Sequence, residues 1–389
     1  MTEREPLKIG IFSESYEPVT NGVSVSVTTL VDALRRLDHE VFVFAPEYHG
    51  YHDRESGVTR FPSVQTGIAR DYPLAIPFLP NLAQHVKDLN LDVIHTQTPF
   101  MLGWLGQKLG ERLNIPVIST NHTQYAEYVH YFPFAPRATT RSFVIGMMKR
   151  YYNQCDGVVV PTRATEEILR EYGVETRIFI IPSGVSIDTS RDEKAREAVR
   201  SEFGIPSDAR VLLYVGRLAM EKNLDLVFQA FDKLSGVYDD IRLMVVGGGP
   251  YEAECRKMAS ESRTADRITI TGFKARESLR EYYSAGDLFL FPSTTDTQGI
   301  ALCEALQAGL PCIAVRAGGS PEVITEGEDG LLTQDDADDF TSRIDSLLGN
   351  HEMLLKFSAN ATRNAARFTP AAMANRMLSA YAKVCGSLV

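Results

Sequence analysis

Short apolar, β-rich runs alternate with longer helical patterns along this chain. Unbroken apolar runs mean strands buried on both faces. Separated by helices, they imply parallel sheets covered on both sides, an α/β chain. The first series is KIGIFS (8–13), EVFVFAP (40–46), DVIHT (92–96), IPVIST (115–120) and GVVVPT (157–162). The second is RIFIIPS (177–183), RVLLYVG (210–216), RLMVVGG (242–248), RITITG (267–272), DLFLFPS (287–293) and PCIAV (311–315). A chain of 389 residues is too long for one ordinary core and fits two doubly wound domains. We place the boundary near Pro182-Ser183-Gly184, giving domains 1–183 and 184–370. A last helical stretch, within 371–389, is expected to pack back on the first domain. The charged run Asp188–Arg200 is expected to be exposed. In open parallel sheets, ligands bind beyond the carboxyl ends of the strands, so two facing domains would bring two such edges over a cleft.

The net charge of −10 opposes broad nucleic-acid binding, which needs a basic face. The opening MTEREPLKIG carries charges where a secretion signal needs an apolar run, and no stretch has the length of an apolar membrane span. A cytoplasmic protein is expected. The five cysteines form no CxxC pair and read as buried, reduced thiols.

Five strand exits carry candidate chemistry. After DLFLFPS, residues 294–298 read as a loop and Gly299 as a helix start. A helix N-terminus offers free N–H groups and partial positive charge, which suit a diphosphate. Gly299 allows close approach of a ligand. Glu304, about one turn in, is placed to accept both hydroxyls of a ribose, and Asp296 those of a second sugar. An acidic loop followed by a solvated glutamate fits the same spacing. In GRLAMEKN (216–223), Arg217 and Lys222 can converge on one diphosphate, Arg through its planar fork and Lys as a point charge. Two solvated surface charges would read alike. In ESYEPVTNGV (14–23), Asn21-Gly22 supports unusual backbone angles and close ligand approach. The absence of GxGxxG after the first strand lowers the case for a dehydrogenase. In STNHTQY (119–125), His122 is placed to donate to a sugar hydroxyl or to developing charge, or else to order its loop. GGGP (247–250) is a ligand approach or a tight turn.

Together GRLAMEKN, GGGP, Gly272-Phe273 and DTQGIALCEALQAGLPCIA (296–314) resemble family 4 of the retaining glycosyltransferases, over almost the whole chain. That resemblance implies the GT-B fold, with two Rossmann-like domains facing across a cleft. Domain 1–183 would take the acceptor and 184–370 the nucleotide sugar. The resemblance gives Arg217 and Lys222 the donor diphosphate and Glu304 the ribose. Asp296, with backbone groups of Gln298, Gly299, Ile300 and Ala301, would hold the transferred sugar. Gly22 and Gly248 join the donor-binding set, Phe273-Lys274 lies beside the nucleobase, and His122 lies near donor sugar and acceptor. The family pattern is Glu-x7-Glu. Here Asp296 stands in the first position, with the carboxylate kept and the arm one methylene shorter.

A narrower resemblance lies in TNGVSVSVTTL (20–30), HEVFVFAP (39–46), HTQTPFMLGWLG (95–106), NHTQYAEYVHYF (121–132) and TDTQG (295–299). These look like diacylglycerol α-glucosyltransferases, which move glucose from UDP-glucose to a membrane lipid. UDP-glucose and a lipid hydroxyl are the implied substrates, with Asn21, His122, Tyr125 and Tyr128 on the acceptor side. The cluster Tyr125, Tyr128, Tyr131, Phe132 and Phe134 fits an acceptor groove or a packed loop. PRATTRSFVIGMMKRYY (136–152) mixes Arg137, Arg141, Lys149 and Arg150 with Phe143, Val144, Ile145, Met147 and Met148. It fits peripheral contact with anionic lipid, or a core-packed helix with a solvated basic side.

The electrostatic task in such a transfer is the charge growing on the leaving nucleotide diphosphate, which Arg217, Lys222 and the helix start would meet. No metal and no cofactor is then required. Asp335-Asp336-Ala337-Asp338-Asp339 reads as a late surface turn. No protein nucleophile stands out. The resemblance implies same-face attack, with a donor phosphate oxygen taking the acceptor's proton. Competing readings are a family 4 transferase acting on phosphatidylinositol or on a soluble sugar or alcohol, a GT-B sugar-nucleotide epimerase, and a non-catalytic nucleotide-sugar sensor.

Overall fold

The computed structural model of the protein describes residues 6–53, 55–65, 73–127 and 137–386. It divides into two compact units, Met1–Ser186 with Thr369–Val389, and Ile187–Phe368.

The strands of the first unit are β1 (Lys8–Phe12), β2 (Glu40–Pro46), β3 (Val58–Phe61), β4 (Ser63–Val64), β5 (Leu74–Ala75), β6 (Val93–Thr96), β7 (Val117–Thr120), β8 (Gly157–Val160) and β9 (Ile178–Ile180). Seven of them form a parallel sheet in the order β3-β2-β1-β6-β7-β8-β9, while β4 and β5 make a small antiparallel ribbon. The second unit holds β10 (Arg210–Val215), β11 (Ile241–Val246), β12 (Ile268–Gly272), β13 (Leu288–Phe291), β14 (Cys312–Val315) and β15 (Gly330–Thr333). They form one parallel sheet in the order β12-β11-β10-β13-β14-β15.

Every residue of β6, β7, β8, β13 and β14 is buried, which is why those stretches are apolar without alternation. Core lies on both faces of the first sheet. Ile9, Ile11, Leu30 and Val43 pack with Met373, Met377 and Tyr381 of the helix Pro370–Val384. Phe12, Phe44, Leu102, Tyr151 and Tyr152 pack on the other side. Buried His95 joins that last helix to the sheet, with Nδ1 2.8 Å from the Tyr381 hydroxyl and Nε2 2.7 Å from Thr120 Oγ1. Burial pushes its pKa down to about 3, so it is neutral near pH 7. In the second unit Leu212, Leu243, Phe231, Leu290 and Phe340 anchor the core.

Several expectations give way here. RIFIIPS contributes β9, which pairs with β8 and closes the first sheet rather than opening the second. Strands β3 and β15 carry no long apolar run; VTRF is a half-buried edge and GLLT has two leucines between a glycine and a threonine. The charged run 188–200 is exposed over most of its length, but not at its end. It leads into the helix Glu193–Glu202, capped by Asp192. Arg200 is 3% exposed. Arg196 and Arg200 grip Asp287 at 2.7 and 2.6 Å, and the same carboxylate accepts the Val211 N–H. These cations are consumed in fastening a helix to the sheet. The acidic run at 335–339 is a helix start rather than a turn: Asp336 caps Ala337–Leu348. The free cysteines are buried except Cys385, which is half-buried.

Candidate functional site

In the second unit the chain leaves β10 toward β11 on one side, while β13 lies on the other. This switch of direction opens a crevice at the carboxyl ends of β10 and β13. The loop Gly216–Lys222 rises from β10 and the loop 292–299 from β13. Close backbone approach shapes both. A Cβ on Gly249 would stand 2.2 Å from the Leu218 carbonyl oxygen, and one on Gly318 2.2 Å from that of Asp296.

Lys222 and Asp296 meet across this crevice. Lys222 Nζ donates to both carboxylate oxygens, at 2.7 and 2.8 Å. Burial works to raise the Asp296 pKa, but the charge and hydrogen bonds of Lys222 outweigh it and hold the carboxyl below its ordinary value. Arg217 points outward, with 55% of its side chain exposed, 3.9 Å from Glu221. Gly299 has φ of 83° and caps the helix Ile300–Gln307 with no side chain of its own to accept from the first N–H groups. The N-cap residue thus adds no polar group to the positive end of this helix dipole. Gln298 is buried and donates to Cys303 Sγ.

Glu304 is not a solvated glutamate; it is 3% exposed. Its Oε2 accepts the Tyr283 hydroxyl at 2.7 Å, and its Oε1 lies 2.7 Å from Arg276 Nη2. Thr189 Oγ1 donates to its backbone carbonyl. Phe273 is 72% exposed, and its Cβ would lie 3.2 Å from a Cβ on Gly248. Lys274 turns toward the rings of Tyr282 and Phe203, at 5.1 and 5.8 Å.

In the first unit the comparable switch lies between β1 and β6. Asn21 caps the helix Gly22–Arg35, accepting from the N–H groups of Val23 and Ser24 and donating to Ser15 Oγ. Its polar atoms serve the loop. A Cβ on Gly22 would meet nothing within 4 Å, so packing does not demand glycine there. Glu14 reaches the start of the helix Met101–Leu113, where one carboxylate oxygen accepts from the N–H groups of Leu102 and Gly103. Its other oxygen is buried without a hydrogen bond. Burial pushes its pKa up to about 7 against those backbone hydrogen bonds.

His122 Nε2 donates to Gln97 Oε1 at 2.8 Å, and burial lowers its pKa to about 4. The ring is therefore neutral at pH 7, with Nδ1 an acceptor. Tyr125 packs edge-on to Phe100, ring centres 5.0 Å apart. Tyr128, Tyr131, Phe132 and Phe134 lie outside the described residues. Helix Arg137–Tyr152 buries Met148, Tyr151 and Tyr152, while Phe143, Lys149 and Arg150 are exposed and Arg141 pairs with Glu127 at 3.3 Å. Among the described residues no helix is long and apolar enough to cross a membrane, and no three His, Cys, Asp or Glu side chains gather as a metal set.

Arg276, Tyr283, Glu14 and Gln97 escaped the sequence reading as site residues. Tyr283 follows a core pattern, Arg276 belongs to no glycine-marked loop, and Glu14 acts at long range. Only the strand exits before Glu14 and Gln97 gave any signal.

Residues 195–364 match the family described as glycosyl transferases group 1, and residues 20–189 match Glycosyltransferase Family 4. An alpha-monoglucosyldiacylglycerol synthase of Streptococcus pneumoniae is 34% identical over 317 residues, covering 79% of this chain and 71% of its own. A GDP-mannose-dependent alpha-mannosyltransferase of Corynebacterium glutamicum is 30% identical over 333 residues, covering 84% and 76%. The sucrose-phosphate synthase of Thermosynechococcus elongatus superposes with a TM-score of 0.80 at 22% identity, covering 99% of this chain and all of its own. The chain therefore belongs to the family 4 and group 1 glycosyltransferases, with the GT-B fold, and is a nucleotide-sugar-dependent glycosyltransferase.

Proposed function

We propose that the protein transfers glucose from UDP-glucose to the hydroxyl of a lipid such as diacylglycerol, with retention, giving an α-glucoside. The observation that carries this reading is the 34% identity with a relative named for making monoglucosyldiacylglycerol. In this reading residues 184–370 bind the donor and residues 1–183 the acceptor, with the helix of 371–389 belonging to the acceptor side.

The donor diphosphate lies against the start of the helix Ile300–Gln307, where Gly299, Ile300 and Ala301 offer backbone N–H groups. Arg217, exposed and 3.9 Å from Glu221, swings onto it. Lys222 exchanges one Asp296 oxygen for a phosphate oxygen. Both cations then face the charge that grows on the leaving group. Asp296 is left to accept hydroxyls of the glucose, Glu304 those of the ribose, and Phe273 flanks the base. Gly22 and Gly248 admit the phosphates because no side chain stands there. His122, neutral, accepts a hydrogen bond from a sugar hydroxyl through Nδ1 rather than donating one. Asn21 shapes the loop as a cap. The acceptor's proton passes to a donor phosphate oxygen. The basic face with exposed Phe143, Lys149 and Arg150 rests on anionic lipid.

A second reading has one supporting observation, the 30% identity with a GDP-mannose-dependent enzyme. It keeps the same site with another donor, and another acceptor such as phosphatidylinositol. Turnover with UDP-glucose, UDP-galactose and GDP-mannose, each against diacylglycerol, phosphatidylinositol and glycerol, decides between them. UDP-glucose with diacylglycerol is expected to exceed every other pair at least ten-fold. Preference for GDP-mannose would replace the first reading with the second. Donor consumption without any acceptor product would support neither.

A further inference from the structure

We infer that Arg276 is a positioning residue of the donor site: it pairs with the Glu304 carboxylate and orients it for the ribose hydroxyls, and so sets the preference for ribonucleotides. The inference rests on the ribose role of Glu304 proposed above.

Arg276 stands in the 3-10 turn Arg276–Ser278 beyond β12, whereas Glu304 stands on the helix Ile300–Gln307 beyond β13. The two segments come from strands at different places in the sheet. Their side chains nevertheless meet at 2.7 Å, with 17% of Arg276 and 3% of Glu304 exposed. Burying a carboxylate is costly unless a cation stands beside it. Arg276 supplies the counter-charge.

The geometry also divides the two oxygens. Oε2 is anchored by the Tyr283 hydroxyl. Oε1 touches Arg276 Nη2, yet no hydrogen bond is aligned on it. A carboxylate oxygen has two lone-pair directions, enough for both hydroxyls of a ribose. Counter-charge thus comes from Arg276 and orientation from Tyr283, while Oε1, closed to solvent here, keeps lone pairs that no aligned hydrogen bond takes. A purely structural ion pair would affect folding and leave ligand selectivity alone.

Calorimetric titration with UDP and with 2′,3′-dideoxy-UDP tests this on the parent, Glu304→Gln, Arg276→Gln, Arg276→Ala and Arg276→Lys. The ratio of the two dissociation constants is insensitive to the folded fraction, so a loss of stability does not mimic the effect. The parent is expected to prefer UDP by about 10- to 100-fold, the size of a lost hydrogen bond to a charged group. Glu304→Gln should bring the ratio near one. Arg276→Gln and Arg276→Ala should do the same, either variant sufficing, while Arg276→Lys keeps most of the preference. A parent that binds neither nucleotide, or both alike, overturns the ribose role and this inference with it. A preference lost in Glu304→Gln but kept in Arg276→Gln or Arg276→Ala overturns the role of Arg276 alone.

Discussion

Lys222 and Asp296 neutralise each other in the ligand-free site, and this decides what a substitution there does. Asp296 opposes the attraction of Lys222 for an incoming diphosphate. Asp296→Asn removes the repulsion and frees the ammonium, so UDP affinity should hold or rise by a few-fold. Turnover should fall about 10- to 100-fold, because the sugar loses a charged hydrogen-bond acceptor. Calorimetry beside steady-state rates separates the two effects; a variant that binds UDP much more weakly contradicts the proposed division between Asp296 and Glu304. The pair itself survives through the neutral range, since the Asp296 pKa is depressed and its stabilisation is lost only as pH falls below about 4.

Glu14 behaves in the opposite sense. Its folded pKa is raised to about 7, so the folded state binds more protons than the unfolded one between the ordinary value of 4.5 and about 7. Its contribution therefore weakens as pH rises through that window. Glu14→Gln keeps an oxygen for the Leu102 and Gly103 N–H groups and removes the titration. Relative to the parent, the variant should gain stability between pH 4.5 and 8, by up to about 3 kcal/mol. Urea unfolding at several pH values checks this; a pH-independent difference would mean that the carboxyl does not titrate there. His95 and His122, held neutral by burial, act on both proteins alike and lower stability as pH falls below about 6.5.

At the level of elements, loops shaped by backbone contact carry the site. Gly318 has φ of 53°, and a Cβ there would press on the Asp296 carbonyl; Gly327 has φ of 77° and open space around it. Both alanine variants incur left-handed strain, but only Gly318→Ala also displaces the loop of Asp296. We expect Gly318→Ala to cost about 1–3 kcal/mol more than Gly327→Ala and to lower turnover, while Gly327→Ala leaves turnover unchanged. Thermal melts and rates on both variants check it. Equal melts and equal rates would show that the loop yields without consequence.

The elements also show what a sequence carries. Buried strands such as LFLF and CIAV announce themselves because both faces need apolar side chains. β15 is as buried and as long, but GLLT has only Leu331 and Leu332 as large apolar residues, between a glycine and a threonine, so it does not stand out. Arg200 looked like surface because a buried guanidinium is legible only once Asp287, far along the chain, is known to face it. Arg276 was hidden for the same reason: its partner lies across the sheet. Glycine-marked exits pointed to Arg217, Lys222, Asp296 and Glu304, whereas partners supplied by tertiary packing carry no local pattern.

For the molecule as a whole, two sheet-based units and matches to two glycosyltransferase families over 20–189 and 195–364 make transfer from a nucleotide sugar the activity. What distinguishes this enzyme within the family is donor and acceptor, and one product reports both together with the stereochemistry of transfer. The most direct measurement is proton NMR of the lipid formed from UDP-glucose and diacylglycerol in anionic vesicles, with the anomeric coupling read on the purified product. The expected product is a monoglucosyldiacylglycerol whose anomeric proton shows the small coupling of an α-glucoside. A β-glucoside, or free glucose with unmodified lipid, would contradict retaining transfer to diacylglycerol.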